Sequence, residues 1–290
     1  MSKIDSIENY RRNLIVSGKA PRTVKTYYRS VRQLMEHYRC DPSILSEQQV
    51  RDYLVYCRDV KGWNHWTLKI ALTSLKFYYT HGEGTSWNIW NFANPPRYKP
   101  WITVLSMREI RAIIGQIQLI HLRVAVSLMA SCGLRVSEVV SVGPRDLFQR
   151  EGHLLVRAGN GQKDRYVPIP EVLLPHLREL WKPHRNAKLL FPGGRGRQVE
   201  RLRTTTIPMT IATVQRIVNL GAKEARIHKT VTPHTFRHSY ATNMLEEGIN
   251  VRLLADYLGH ADLQATLRYL HLTPSAQKKG YSIAQRMIFI

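Results

Sequence analysis

Residues Pro233–Tyr240 read "PHTFRHSY". His234, Arg237 and His238 fall within one short run, directly after Thr232 and Pro233. Thr232 can cap a helix by accepting from its free backbone N–H groups, Pro233 suits the first helical position, and Gly248 can close the helix. On such a helix His234, Arg237 and Ala241 share one face, while Phe236, Tyr240 and Met244 share another. The basic residues therefore stand apart from the apolar stripe. Three chemistries fit them: a metal site built on His234 and His238, a solvated basic face, or a pocket for an anion. The metal reading lacks the glutamate of an HExxH motif and sets Arg237 beside the ion. The first turn of a helix, with its unpaired N–H groups, favours an anion.

The whole chain leans the same way. It has 290 residues and a formal charge of +22. A charge this high repels itself in the compact state, and a polyanion that neutralises it is the usual reason to keep it. Nucleic acid is the first expectation and an anionic membrane surface a distant second. No apolar run reaches the roughly 18 residues of a membrane helix. "VAVSLMASCGLRV" is too short, and "MSKIDSIENYRRN" holds no apolar signal core. A cytoplasmic, nucleoid-associated location is expected. Cys40, Cys57 and Cys132 are odd in number and widely spaced, which suggests neither a disulfide framework nor a zinc knuckle.

Residues 1–93 read as helical. "PRTVKTYYRSVRQLMEHY" carries Val24, Val31, Leu34 and Met35 at helical spacing, with Pro21 at its start. "SEQQVRDYLVYCRDV" opens on a capping Ser46, and "WTLKIALTSLKFYYTH" is a third periodic segment, ended by "GEGT". "NPPRYKPW" then places three prolines in eight residues. They favour an extended connector, so a linker is expected at 94–104 and a second domain at 105–290. Ser106 and Glu109 form a capping-box pattern ahead of Ile110, Ile113, Ile114 and Ile117. The second domain is mixed. A buried helix stops near Gly133, and "HLLVRAGNGQKDRYVPIP" predicts a hairpin with strands at 153–157 and 165–169 around a Gly-Asn-Gly turn. Basic residues crowd between Lys182 and Lys229, opposed only by Glu200 and Glu224. With the glycines of "FPGGRGRQ" this stretch reads as a flexible basic segment beside a phosphate backbone.

Three further pieces carry chemistry. "GLRVSEVV" sets Arg135 and Glu138 just after the buried helix. Lys163 lies in or beside the hairpin turn. In "YLGHADLQATLRYLHL", Gly259 breaks one helix and Asp262 can cap the next, whose core stripe is expected to be Leu263, Leu267 and Leu270. Tyr269 would then point away from that stripe, one short helix after His260. Two arginines, a lysine, two histidines and a tyrosine suit metal-free phosphoryl transfer. The arginines offset charge on non-bridging oxygens, a lysine can protonate a leaving oxygen, a histidine can assist the nucleophile's proton, and a tyrosine oxygen can hold a phosphodiester covalently.

These pieces make the chain recognisable. "GLRVSEV", "GNGQKDRYVPIP", "PHTFRHSYATNMLEEG" and "LLADYLGHADLQATLRYLH" closely resemble the tyrosine recombinase (phage integrase) family. "APRTVKTYYRSVRQL" and "TLKIALTSLKFYYTH" resemble its core-binding helices. By resemblance, Arg135 and Arg237 correspond to the catalytic arginines, Lys163 to the hairpin lysine, His234 and His260 to the two histidines, and Tyr269 to the nucleophile. Glu138 matches the acidic residue supporting the first arginine, and His238 a position often occupied but not catalytic. The resemblance implies an all-α N-terminal, SAM-like core-binding domain and an α+β catalytic domain with a small antiparallel sheet. The two would clamp double-stranded DNA at inverted-repeat core sites. Lys19, Arg22, Lys25, Lys76, Arg195, Arg197, Arg201 and Arg203 are the expected DNA contacts. The implied reaction is site-specific strand exchange through a 3′-phosphotyrosyl link, with neither metal nor ATP, in a tetramer of protomers. A type IB topoisomerase and a non-catalytic DNA-binding protein of the same fold are the alternatives. The tail "TPSAQKKGYSIAQRMIFI" has apolar residues at near-helical spacing that suit packing on its own domain or, as the resemblance implies and as is expected here, docking on a neighbouring protomer.

Overall fold

The computed structural model describes residues 3–92, 102–157, 163–194 and 199–272. The Gly159–Gly161 turn, Arg195, Arg197, most of the proline-rich connector and the C-terminal tail lie outside the described residues. The chain divides into two compact units, residues 1–100 and 101–290.

The first unit is helical: α1 (Lys3–Val16), α2 (Pro21–Tyr38), α3 (Glu47–Asp59), α4 (His65–Phe77) and α5 (Ile89–Phe92). Pro21 opens α2, whose Val24, Val31 and Leu34 are buried. Ser46 and Gln49 close a reciprocal capping box on α3, and Asn64 caps α4. Both α1 and α4 pack on α2. Their shared core is rich in aromatics, with Tyr10, Tyr53, Tyr78 and Tyr79 buried among Leu14, Val31, Leu34 and Leu75. Two of the buried hydroxyls are satisfied by backbone: Tyr10 donates to the Ser74 carbonyl at 3.0 Å and Tyr79 to the Pro42 carbonyl at 2.7 Å.

The second unit contains α6 (Met107–Gly115), α7 (Ile120–Cys132), α8 (Val136–Ser141), β1 (Leu147–Phe148), β2 (His153–Val156), β3 (Arg165–Pro168), α9 (Leu173–Trp181), α10 (Val199–Thr204), α11 (Ile211–Glu224), α12 (Pro233–Glu246), α13 (Val251–Leu258) and α14 (Gln264–Leu267). Ser106 and Glu109 form the expected capping box on α6. The apolar helix α7 is the centre of the core and packs against α9, α11 and α12. It ends at Gly133, where φ is +63°. A side chain there would meet the Tyr240 ring of α12 at 2.4 Å, so only glycine permits this approach. The three strands form one antiparallel sheet in the order β1-β2-β3, with Val156 opposite Arg165.

Three expectations need correction. The hairpin strands are each one residue shorter than predicted, ending at Val156 and Pro168. Arg157 leaves the ladder and its guanidinium pairs with Asp146 at 2.7 Å. The described part of the basic stretch is not a loose segment. It carries α10 and α11 and is tied down by buried Asn186, whose amide donates to the carbonyls of Leu202 (2.7 Å) and Thr205 (2.9 Å) and accepts from the N–H groups of Lys188 and Leu189. Tyr269, expected off the apolar face, is buried. Among the described residues no helix is long and apolar enough to cross a membrane.

Candidate active site

Helix α12 begins as its sequence requires. The Thr232 hydroxyl accepts from the Thr235 N–H at 3.3 Å, and Pro233 takes the first turn. The helix projects Arg237 into the unit's interior, where it is 4% exposed. Its Nη1 donates to the Gly133 carbonyl at 2.8 Å and its Nη2 to the Leu258 carbonyl. Both acceptors lie at helix C-termini, where the unpaired carbonyls carry partial negative charge. Burial first, and then the charge of Arg135, push the Arg237 guanidinium down to about 10, which still leaves it a cation at neutral pH.

Arg135 caps α8, and Glu138 sits one turn on. The Glu138 carboxylate accepts from the Arg135 backbone N–H (2.8 Å) and from its Nη1 (2.7 Å). It also takes a two-pronged bond from Arg165, at 3.0 and 2.8 Å, and lies 3.9 Å from Arg237 Nη1. Burial works to raise the Glu138 pKa, but the hydrogen bonds and charge of Arg165, with those of Arg135, outweigh it and the net shift is downward. One carboxylate thus orients three guanidinium groups from α8, β3 and α12. Arg135 is the more open of the catalytic candidates among them, with its side chain 27% exposed.

Arg165 was not expected at the site. It is buried on the inward face of β3, its Nε donating to the Tyr257 carbonyl at 2.7 Å. The available signal was its strand alternation with Val167, which places an arginine on a core-facing position. Together Arg165 and Arg237 fix the C-terminus of α13, where Gly259 turns with φ +62° and a side chain would meet Arg165 at 2.9 Å. That turn delivers His260.

Tyr269 does not point away from the apolar residues as the helical spacing suggested. It is 2% exposed and packs with Tyr240, Leu245, Leu254 and Leu258, whereas Leu263, Leu267 and Leu270 are only half-buried. The segment is one turn of α14 followed by a 3₁₀ turn at Leu270–Leu272, so a 3.6-residue period does not extend across it. The Tyr269 hydroxyl lies 2.8 Å from His238 Nδ1. Its ring stacks on that of His260 with centroids 6.5 Å apart, and the Arg268 guanidinium lies over it at 5.4 Å. His260 Nδ1 is held by the Thr266 hydroxyl at 2.7 Å. Burial raises the Tyr269 pKa against the opposing charges of Arg268, Arg237 and Arg135. Burial lowers His260 to about 4, helped by Arg237 and Arg135, and lowers His238 to about 4, helped by Arg268 and His234. His234 stands at the open rim with its ring 6.4 Å from that of His238, and is shifted down by partial desolvation and then by Arg237 and Arg135.

Arg135, Glu138, His234, Arg237, His260 and Tyr269 are therefore brought together. Lys163 is not: it is exposed two residues before β3, and among the described residues no hydrogen bond joins it to the cluster. The resulting cluster is cationic, with imidazoles neutral at neutral pH and a protonated phenol. Such a cluster suits an anionic tetrahedral group.

The expected DNA contacts Lys19, Arg22, Lys25 and Lys76 are all exposed in the first unit, and Arg201 and Arg203 are exposed on α10. Lys19 and Lys25 line a groove of about 690 Å³ together with Arg11, Tyr28, Arg29 and Arg32. Arg11, Arg29 and Arg32 were not singled out in the sequence, although Lys25, Arg29 and Arg32 recur at helical spacing on α2.

The N-terminal SAM-like domain of phage integrases matches residues 7–89, and the Phage integrase family matches residues 103–276. A tyrosine recombinase XerA of Pyrococcus furiosus is 32% identical over 280 residues, covering 94% of this chain and 92% of that protein. A putative integrase/recombinase of Sinorhizobium fredii is 30% identical over 253 residues, covering 86% of this chain and 79% of its own. The fold matches that of XerH site-specific recombinase bound to a palindromic difH substrate, with TM-score 0.71 and 19% identity over 90% of this chain and 80% of that one. It also matches a lambda integrase dimer bound to a COC′ core site, with TM-score 0.71 and 17% identity over 91% and 94%. A helical first unit, a second unit with a small antiparallel sheet, and family matches spanning most of both lead to one conclusion: the chain belongs to the phage integrase family and is an enzyme of the tyrosine recombinase type.

Proposed function

We propose that the chain is a site-specific DNA recombinase that cuts and rejoins strands through a 3′-phosphotyrosyl link on Tyr269. The observation that carries this reading is the placement of the Tyr269 phenol among the charges of Arg268, Arg237 and Arg135. A scissile phosphate would sit against the guanidinium groups of Arg135 and Arg237, which offset the charge that develops on its non-bridging oxygens. Glu138 keeps Arg135 aimed. His234 and His260 border the same pocket and would bond to phosphate oxygens. Lys163, carried on the hairpin, would protonate the leaving 5′-oxygen once DNA draws it in. The freed 5′-hydroxyl then attacks the phosphotyrosyl link of a partner strand. The link conserves the energy of the broken phosphodiester, so the cycle requires neither ATP nor metal.

Residues 1–93 would form the core-binding domain and 105–290 the catalytic domain, joined by the connector at 94–104. The groove bearing Lys19 and Lys25, and α10 with Arg201 and Arg203, would lie along the phosphate backbone. The DNA-bound XerH recombinase and lambda integrase that share this fold support DNA as the partner, and strand exchange between two inverted-repeat sites calls for four protomers. A recombinase of this kind works where the DNA is, in the cytoplasm at the nucleoid.

A duplex nicked close to the cleavage point loses its 5′-terminal fragment after attack and so traps the covalent intermediate. The protein should become attached to this DNA at Tyr269. Tyr269→Phe should bind within a few-fold of the unaltered protein and form no adduct. Attachment through Tyr257 or Tyr281 would defeat the assignment, and no attachment at all would favour a binding-only protein.

A further inference from the structure

By resemblance His238 matches a position often occupied but not catalytic, yet the fold puts it against the Tyr269 hydroxyl. His238 Nδ1 lies 2.8 Å from the Tyr269 hydroxyl. The two other imidazoles of the site are placed differently. His260 gives its Nδ1 to the Thr266 hydroxyl at 2.7 Å and meets Tyr269 through its ring face. His234 stands beside His238, with ring centroids 6.4 Å apart, at the exposed rim. We propose that His238 receives the phenolic proton of Tyr269 during strand cleavage and returns it during rejoining. This rests on Tyr269 being the nucleophile.

The step balances without any further reactant. The Tyr269 Oη–H bond breaks and its proton moves to His238 Nδ1. The Oη–P bond forms as the P–O5′ bond breaks, and the 5′-oxygen takes its own proton from a separate acid. On rejoining, a 5′-hydroxyl returns its proton to the conjugate base of that acid as its oxygen bonds to phosphorus, the P–Oη bond breaks, and the imidazolium restores the phenol's proton.

In the DNA-free protein the proton stays on the tyrosine. Burial, with Arg268, His234 and Arg237 facing it, holds His238 at about 4, while burial raises Tyr269. We take His238 as its Nε2–H tautomer, in which the Tyr269 hydroxyl donates to Nδ1. A phosphodiester in the pocket would place a negative charge among those same cations and offset their effect on His238. The ring becomes more basic when a substrate is present to be attacked. An idle enzyme keeps its nucleophile protonated and hydrogen-bonded, which protects it from stray chemistry.

The test uses the full chain and a nicked duplex under single-turnover conditions. His238→Ala removes both acceptor and base. His238→Asn keeps a polar acceptor close to the position of Nδ1 but cannot carry the proton, and it also serves where the alanine variant fails to fold. Both should bind DNA within about 2-fold of the unaltered protein and cleave on the order of 100-fold more slowly, the usual contribution of a positioned base. Replacing Tyr269 with a fluorinated tyrosine gives a more acidic phenol that needs less help. In that background the defect of both variants should shrink to less than about 10-fold, in keeping with Brønsted behaviour. Cleavage by His238→Asn at the unaltered rate would mean that only a hydrogen-bond acceptor is needed and would overturn the proposal. So would a defect of equal size with either phenol. Both results leave the unaltered protein attached at Tyr269, which separates them from failure of the nucleophile assignment, where no such attachment forms.

Discussion

Glu138 is the residue on which the arginines depend. Its carboxylate binds Arg135 and Arg165 and lies beside Arg237, so no single pair in the group can be altered alone. The sequence made Arg135, Arg237 and Glu138 legible because local motifs surround each of them. Arg165 was harder to read, because alternation with Val167 turns it inward but its partner Glu138 lies 27 residues away. Two predictions belong at this scale. His238 and His260 fall to about 4 in the folded protein from the ordinary 6.5. The unfolded chain therefore binds more protons between those values, and the stabilisation they give is complete above pH 6.5 and lost as the pH drops toward 4. The urea midpoint of the DNA-free protein should fall steadily between about pH 6.5 and 5, and less steeply in a His238→Asn, His260→Asn double variant. A midpoint that rises on acidification would contradict the burial of these rings. The second prediction separates an acid from an anion holder. A substrate with sulfur at the bridging 5′ position has a leaving group that needs little protonation. Lys163→Ala should regain cleavage on it and Arg237→Ala should not; equal recovery by both variants would remove the distinction between them.

At the scale of elements, helix starts were the most readable features. Ser46, Ser106 and Thr232 cap as their sequences imply, since capping is set by residues within one turn of each other. Short elements were read less well. α14 is a single turn, too brief for periodicity to mean anything, and the burial of Tyr269 is decided by α12 and α13 instead. The end of α13 shows how elements build the site. Its last carbonyls are held by Arg165 from β3 and Arg237 from α12, and Gly259 lets the chain turn beneath Arg165. Gly259→Ala adds a methyl 2.9 Å from that guanidinium and strains a left-handed residue. The variant should lose about 1–2 kcal/mol of stability from the backbone alone, visible as a lowered melting temperature. Its cleavage should fall further than its DNA affinity, because the displaced groups are those that aim Glu138 and His260. Equal losses in both would place the effect outside the site.

At the scale of the whole molecule, charge was the plainest message and its distribution the least plain. A formal +22 predicts a polyanion, but the groove of Lys19, Lys25, Arg29 and Arg32 exists only once α1 and α2 pack. If roughly 8–10 phosphates are neutralised on binding, log affinity should fall with log salt at a slope of about −7 to −9. A slope shallower than about −3 would mean that most of the charge serves something other than DNA.

The bond between Arg237 and the Gly133 carbonyl spans 104 residues, and Tyr269 lies a further 31 positions beyond its partner His238. Synthesis proceeds from the N-terminus, and domains fold in that order as they emerge from the ribosome. The basic groove is made early and the means of cutting last. If Tyr269 is the nucleophile as proposed, a message broken before its codon would yield a product that keeps the residues of the basic groove and lacks the group that breaks DNA, a dominant competitor in place of a nicking enzyme.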